Sequence, residues 1–96
     1  ALDKINNVLY VAEFDSHKVR MINLNTTIIF EFAGNGIQAR NPLAINGDGG
    51  LAINAQLNSP LGLAIEPKTR DVFIGDTLNF KIRRVNKTNG IITTIC

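Results

Sequence analysis

The feature that most constrains this chain is that it repeats itself. Residues 1–33 align on residues 64–96 without a gap, at a constant offset of 63. Six positions are identical: Ala1/Ala64, Lys18/Lys81, Arg20/Arg83, Asn23/Asn86, Ile28/Ile91 and Ile29/Ile92. Many more are conservative, among them Tyr10/Phe73, Val11/Ile74, Ala12/Gly75, Glu13/Asp76, Val19/Ile82 and Ile22/Val85, so the apolar phase is kept in both copies. Self-similarity at a fixed spacing marks repeat architectures, in which one supersecondary unit covers the apolar face of the next.

Each copy breaks into short strands separated by turn residues. Val8–Ala12 and Val72–Gly75 are nearly continuous apolar runs, the pattern of a strand covered on both faces, and are expected to lie inside. Lys18–Ile22 and Lys81–Val85 alternate or nearly alternate, as a strand with one wetter face does, and are expected further out. Asn25-Thr26-Thr27 and Lys87-Thr88-Asn89-Gly90 supply hairpin turns that open onto Ile28-Ile29-Phe30 and Ile91-Ile92-Thr93. Leu61–Ile65 gives the fourth strand of the second copy, ended by Glu66-Pro67-Lys68-Thr69-Arg70; in the first copy, Ala1-Leu2-Asp3 matches only the end of that strand. Nothing carries helical spacing over ten residues. The expected organisation is a first blade over 1–33, a Gly/Asn-rich connection over 34–60 and a second blade over 61–96, with Leu51, Ile53 and Leu57 able to order the connection by packing.

At 45% hydrophobic residues and a net charge of +2, the composition is that of a folded unit, and no apolar run is long enough to span a bilayer. The chain opens on Ala1 with no initiator methionine and no charged segment leading an apolar one, which is expected of a piece of a longer product. A single cysteine, Cys96, excludes an internal disulfide.

The strand and turn residues go further. Leu9-Tyr10-Val11-Ala12-Glu13 with His17-Lys18-Val19-Arg20, and Val72-Phe73-Ile74-Gly75-Asp76-Thr77 with Asn79-Phe80-Lys81-Ile82-Arg83, resemble the NHL-repeat consensus, approximately L-Y-V-A-D-T-G-N-H-R-I-R. Asn58-Ser59-Pro60-Leu61-Gly62-Leu63-Ala64-Ile65 is similar to that family's strand-opening segment, P-x-G-V-A-V. The resemblance implies an all-β fold: propeller blades of four antiparallel strands, here a two-blade segment of a larger or oligomeric propeller. It also implies roles for turn residues: Glu13 and Asp76 accepting bonds from turn amides, and His17 packing between blades or bonding backbone. Where the family has a turn glycine this chain has Asp15 and Leu78; a bulky residue with φ > 0 costs about 1 kcal/mol or more, so the Leu78 turn is expected to take another geometry.

No catalytic residue emerges. Gly34-Asn35-Gly36-Ile37-Gln38-Ala39 mimics a dinucleotide fingerprint, but Arg40-Asn41-Pro42 follows with no helix to aim at a phosphate. Asp48, in Asn46-Gly47-Asp48-Gly49-Gly50, is the one weak metal candidate, and a single carboxylate is a poor calcium cage. No cofactor is expected. Lys18, Arg20, Lys81, Arg83 and Arg84 are expected on solvated strand faces or in inter-blade salt bridges, and the scarcity of aromatics argues against nucleic acid. Asn25-Thr26-Thr27 and Asn86-Lys87-Thr88 are N-x-[ST] sequons in corresponding turns, making Asn25 and Asn86 glycosylation candidates and favouring an extracellular or cell-surface setting over the cytoplasm. The function expected is a non-catalytic scaffold for protein interaction or extracellular assembly, its partners being further blades, in the same longer chain or in identical copies forming a ring, and a protein met by the loops. The resemblance also admits an RNA-binding propeller, or a lyase-like metalloenzyme whose site lies in other blades.

Overall fold

The computed structural model describes residues 1–96 and holds two four-stranded antiparallel sheets. The first sheet orders β1 (Leu2–Asp3), β2 (Val8–Glu13), β3 (Lys18–Asn23) and β4 (Ile28–Ala33) as they occur in the chain. The second does the same with β5 (Pro60–Ile65), β6 (Val72–Asp76), β7 (Lys81–Val85) and β8 (Ile92–Thr94). These are two propeller blades. Helix is confined to two short 3-10 turns, Ala52–Asn54 and Thr77–Asn79.

The turns explain several of the repeated residues. Asp3 Oδ1 accepts the amides of Ile5 and Asn6 at 3.1 and 3.2 Å, and Glu66 Oε2, one repeat later, accepts those of Lys68 and Thr69 at 2.9 and 2.6 Å. Asn23 Oδ1 takes the amides of Asn25 and Thr26, as the matching Asn86 Oδ1 takes those of Thr88 and Asn89. Short side chains that bond the backbone two and three residues on are what close such turns. Each turn then ends on a left-handed residue at the same repeat position: Asn7 and Arg70, His17 and Phe80, Thr27 and Gly90. The turn expected to be awkward at Leu78 is resolved this way: Leu78 enters the 3-10 turn and the left-handed position falls on Phe80 at φ 57°.

The two blades bury opposite faces. In the first, Val8, Tyr10, Val19 and Ala33 are buried; in the second, Val72, Ile74, Val85 and Ile92. At the offset of 63 the second set corresponds to Leu9, Val11, Ile22 and Ile29, which lie on the other face of the first blade. Because side chains alternate along a strand and the repeat offset is odd, the two blades present opposite faces of the repeat to the shared core. Within residues 1–96, Val8–Ala12 and Val72–Gly75, expected to be covered on both faces, are each covered on one, and Val11 and Ile29 stay 36% and 55% exposed.

The connection fills the space between the blades. Leu57 is fully buried, but Leu51 and Ile53, expected beside it, point outward; the packing is done by Ala39, Ala52 and Ala55. Small side chains let the backbone approach both sheets: the amides of Gly34 and Asn35 donate to the carbonyls of Ala52 and Ala55, and that of Ile92 donates to the carbonyl of Gly50. Gly47 is required at its place. Its φ is +91°, and a Cβ there would lie 2.7 Å from Ala55 Cα.

Candidate interaction site

The connection is seated on Arg83 of β7, whose side chain is completely buried. This corrects the expectation of a solvated strand face or an inter-blade salt bridge, since its ion pairs run to Asp48 of the connection and Asp76 of its own blade. Its Nη2 donates to Asp48 Oδ1 at 2.7 Å and to the Asn46 carbonyl at 2.9 Å, and its Nη1 to Asp76 Oδ2 at 3.2 Å and the Gln56 carbonyl at 3.3 Å. A guanidinium is planar and permanently charged, so one arginine can fasten four acceptors from three stretches of chain. Asp76 is engaged further, accepting the Asn58 amide at 2.7 Å and Asn79 Nδ2 at 2.8 Å. The effect is to fix residues 46–58 against β6 and β7.

The other sequence-predicted residues fall around this cluster without converging on a reaction centre. Glu13, at the position matching Asp76, accepts from Arg20 Nε at 2.6 Å on the open face of the first blade, and no turn amide donates to its side chain. His17 sits in the left-handed position of its turn, and its Nδ1 accepts the Ser59 amide at 2.9 Å, tying the first blade to the start of β5. Both oxygens of Asp48 serve protein donors, Arg83 and the Thr94 hydroxyl. Asn25 and Asn86 are exposed in the β3–β4 and β7–β8 turns, but at different places: Asn86 is the turn-closing residue, equivalent to Asn23, whereas Asn25 is at the tip. Lys18 pairs with Glu31 at 2.7 Å, Arg84 with Asp71 at 2.7 Å while stacking over Phe73, and Lys81 Nζ donates to the Ala44 carbonyl. Cys96 is exposed and free. No group of three His, Cys, Asp or Glu side chains gathers in a metal-binding arrangement.

Two buried carboxyls are tuned by their surroundings. Burial by itself would raise Asp71, but the Lys87 amide and the Arg84 guanidinium outweigh it and hold the group below the usual carboxylate range. Asp3 is lowered in the same way, against its burial, by Asn6, with Arg70 and the Ile5 amide adding to the effect. The Tyr10 phenol is pushed up by burial and by the nearby Asp3 charge.

Known proteins are similar to this chain in sequence. NHL repeat-containing protein 2 of Gallus gallus is 34% identical over 80 residues, 83% of this chain and 11% of the relative. The Homo sapiens protein of the same name is 30% identical over 87 residues, 91% of this chain and 12% of the relative. Teneurin-4 of Homo sapiens is 31% identical over 96 residues, covering 93% of this chain and 3% of that protein. The chain belongs to the NHL-repeat proteins. It spans about a tenth of the length of the first of these curated relatives. No protein-family model matches it.

Besides their turns, the NHL repeats offer three kinds of surface. The first is the open face of the second blade, where Gly62, Leu63, Ala64, Phe73, Gly75 and Ile82 line a groove of about 370 Å³. The second is the open face of the first blade, with Val11, Ile22 and Ile29 around Glu13 and Arg20. The third is the outer part of the connection, where Leu43 is 94% and Ile45 71% exposed. Residues 41–46 nonetheless bond to one another: the Leu43 amide donates to Asn41 Oδ1, the Ala44 amide to the Asn41 carbonyl, and Asn46 Nδ2 to the same carbonyl. The anchoring role of Arg83 is not legible in the sequence beyond its identity with Arg20. No helix is long and apolar enough to cross a membrane.

Proposed function

We propose that this chain is part of a non-catalytic β-propeller scaffold that binds a protein partner through the connection between its blades, with further blades covering the two open faces. The observation that carries the proposal is a pair of exposed apolar side chains, Leu43 and Ile45, on a turn closed by three hydrogen bonds. A pre-shaped apolar projection loses little conformational freedom on binding, and the centre of a protein interface is apolar where its rim is polar. A photo-crosslinking amino acid replacing Leu43 is expected to give a discrete protein adduct in the native cell, while one replacing exposed Lys68 gives none. An RNA adduct, or no adduct, would overturn the reading.

The setting proposed is extracellular. Thr27, the hydroxyl residue of the first sequon, is β-branched yet sits at φ 61°, where the second blade has Gly90. Such a residue is strained by roughly 1–2 kcal/mol, and the sequon supplies a reason to keep it there. Glycan on Asn25 and Asn86 in material from the native source, removed by an amidase with a mass shift at each asparagine, is the expected result; bare asparagines at both positions would sink the proposal.

A further inference from the structure

The open face of the first blade is, position for position, the buried face of the second. Leu9, Val11, Ile22 and Ile29 correspond to Val72, Ile74, Val85 and Ile92, all of them in the core, and Glu13 and Arg20 correspond to the fully buried Asp76 and Arg83. The correspondence reaches the ion pair but stops one partner short. Arg83 uses both terminal nitrogens, on Asp76, Asp48 and two carbonyls. Glu13 is one methylene longer than Asp76 and closes instead on Arg20 Nε, which leaves both terminal nitrogens of Arg20 without a bond. The guanidinium is therefore a half-filled fork, set in an apolar surround that includes a small groove lined by Val11, Ile22 and Ile29. A fork of this shape matches a carboxylate or paired carbonyls, and it gains most when an apolar surround keeps water out.

We propose that Glu13 and Arg20 form the receiving site for a further blade lying outside residues 1–96, one whose incoming connection places a carboxylate and main-chain carbonyls on the terminal nitrogens of Arg20. This rests on the reading that further blades cover the open faces. The occupant is not a second copy of these residues: the one connection within them that carries such a carboxylate, at Asp48, is already engaged by Arg83. The chemistry required is that of residues 46–57, a tight glycine-containing turn with an aspartate, followed by small and branched apolar side chains to cover Val11, Ile22 and Ile29.

Two measurements on the full-length protein from its native source test this. In the first, arginine-selective dicarbonyl labelling is read by peptide mass spectrometry with exposed Arg40 as the reference, and hydroxyl-radical footprinting reports on Ile29. Arg20 is expected to react at least tenfold more slowly than Arg40, as Arg83 does, with Ile29 protected. In the second, carbodiimide treatment of the Arg20→Lys variant is expected to join position 20 to an Asp or Glu outside residues 1–96. If Ile29 is protected but Arg20 reacts like Arg40, or if position 20 is joined only to Glu13, Glu31 or a second copy of this chain, the acidic-connection proposal falls and the covering blade stands. If Ile29 and Arg20 both react freely, the covering blade falls with it.

Discussion

Replacing Arg83 by methionine tests how the connection is held. Methionine keeps much of the apolar stem but withdraws the charge from two carboxylates, Asp48 and Asp76, and the donors from the carbonyls of Asn46 and Gln56. The side chains of Arg83 and Asp76 are fully buried, and removing one partner of a buried ion pair costs about 3–5 kcal/mol because the other charge is left uncompensated. The internal control is Lys18→Met, which breaks a pair whose side chains are 21% and 53% exposed and which should change stability by about 0–1 kcal/mol. Urea denaturation of the two variants gives the comparison. At a typical slope near 2 kcal/mol per molar, the Arg83→Met midpoint should fall by roughly 2 M. Adding Asp48→Asn and Asp76→Asn to Arg83→Met should recover part of the loss, since an amide left behind is less penalised than a carboxylate. If Arg83→Met lies within about 1 kcal/mol of Lys18→Met, the ionic anchor is not what holds residues 46–58, and the reasoning fails.

Leu57→Ala should destabilise by about 2–5 kcal/mol in the same titration, because Leu57 is fully buried between the blades; Leu43→Ala, on the exposed turn, should change stability by under about 0.5 kcal/mol, and equal effects would contradict the assignment. Thr27→Gly, which installs the residue found at the matching position in the second blade, should raise the thermal midpoint by relieving the left-handed conformation, a gain of about 0.5–1 kcal/mol net of the added freedom of the unfolded chain; a lower midpoint would refute the strain. Asp71 has a folded-state pKa below its unfolded value of about 3.9, so its contribution is complete above that value and is lost as pH falls through the folded one. Acid titration of the wild type against Asp71→Asn should therefore diverge at higher pH and converge as the pH falls through the lowered folded-state value, whereas parallel curves would exclude the linkage.

Strand number, strand order and the turns were legible because they depend on local chemistry. Asn23 and Asn86 close their turns with their own side chains, and the alternation in Lys18–Ile22 is written into five consecutive residues. Which face of a strand is buried was not legible, because it is decided by what lies alongside. Tyr10 and Phe73 are equivalent in sequence, yet Tyr10 is buried in the core cluster that holds residues of both blades and the connection, while Phe73 lines the open groove. The connection was the least readable part. Ala39, Ala52 and Ala55 have no periodicity among glycines and asparagines, and only the three-dimensional path makes them core. Arg83 was hidden by its charge: arginine is rarely buried, and its partners Asp48 and Asn46 are more than thirty residues away in the chain.

Every strand pairs with its immediate neighbour in sequence, whereas the bonds that seat the connection reach across 35 and 37 residues from Arg83 and 42 from His17. Folding should therefore proceed in two tempos. Hairpins close over short spans in microseconds, and the chain entropy of the longer closure is met only when both meanders are already present to receive it. Pulse-labelled amide exchange should find β2, β3, β6 and β7 protected before residues 46–57. A nascent chain would thus carry formed sheets with the Asp48 turn still loose, and Arg83 would be the last charge to leave water.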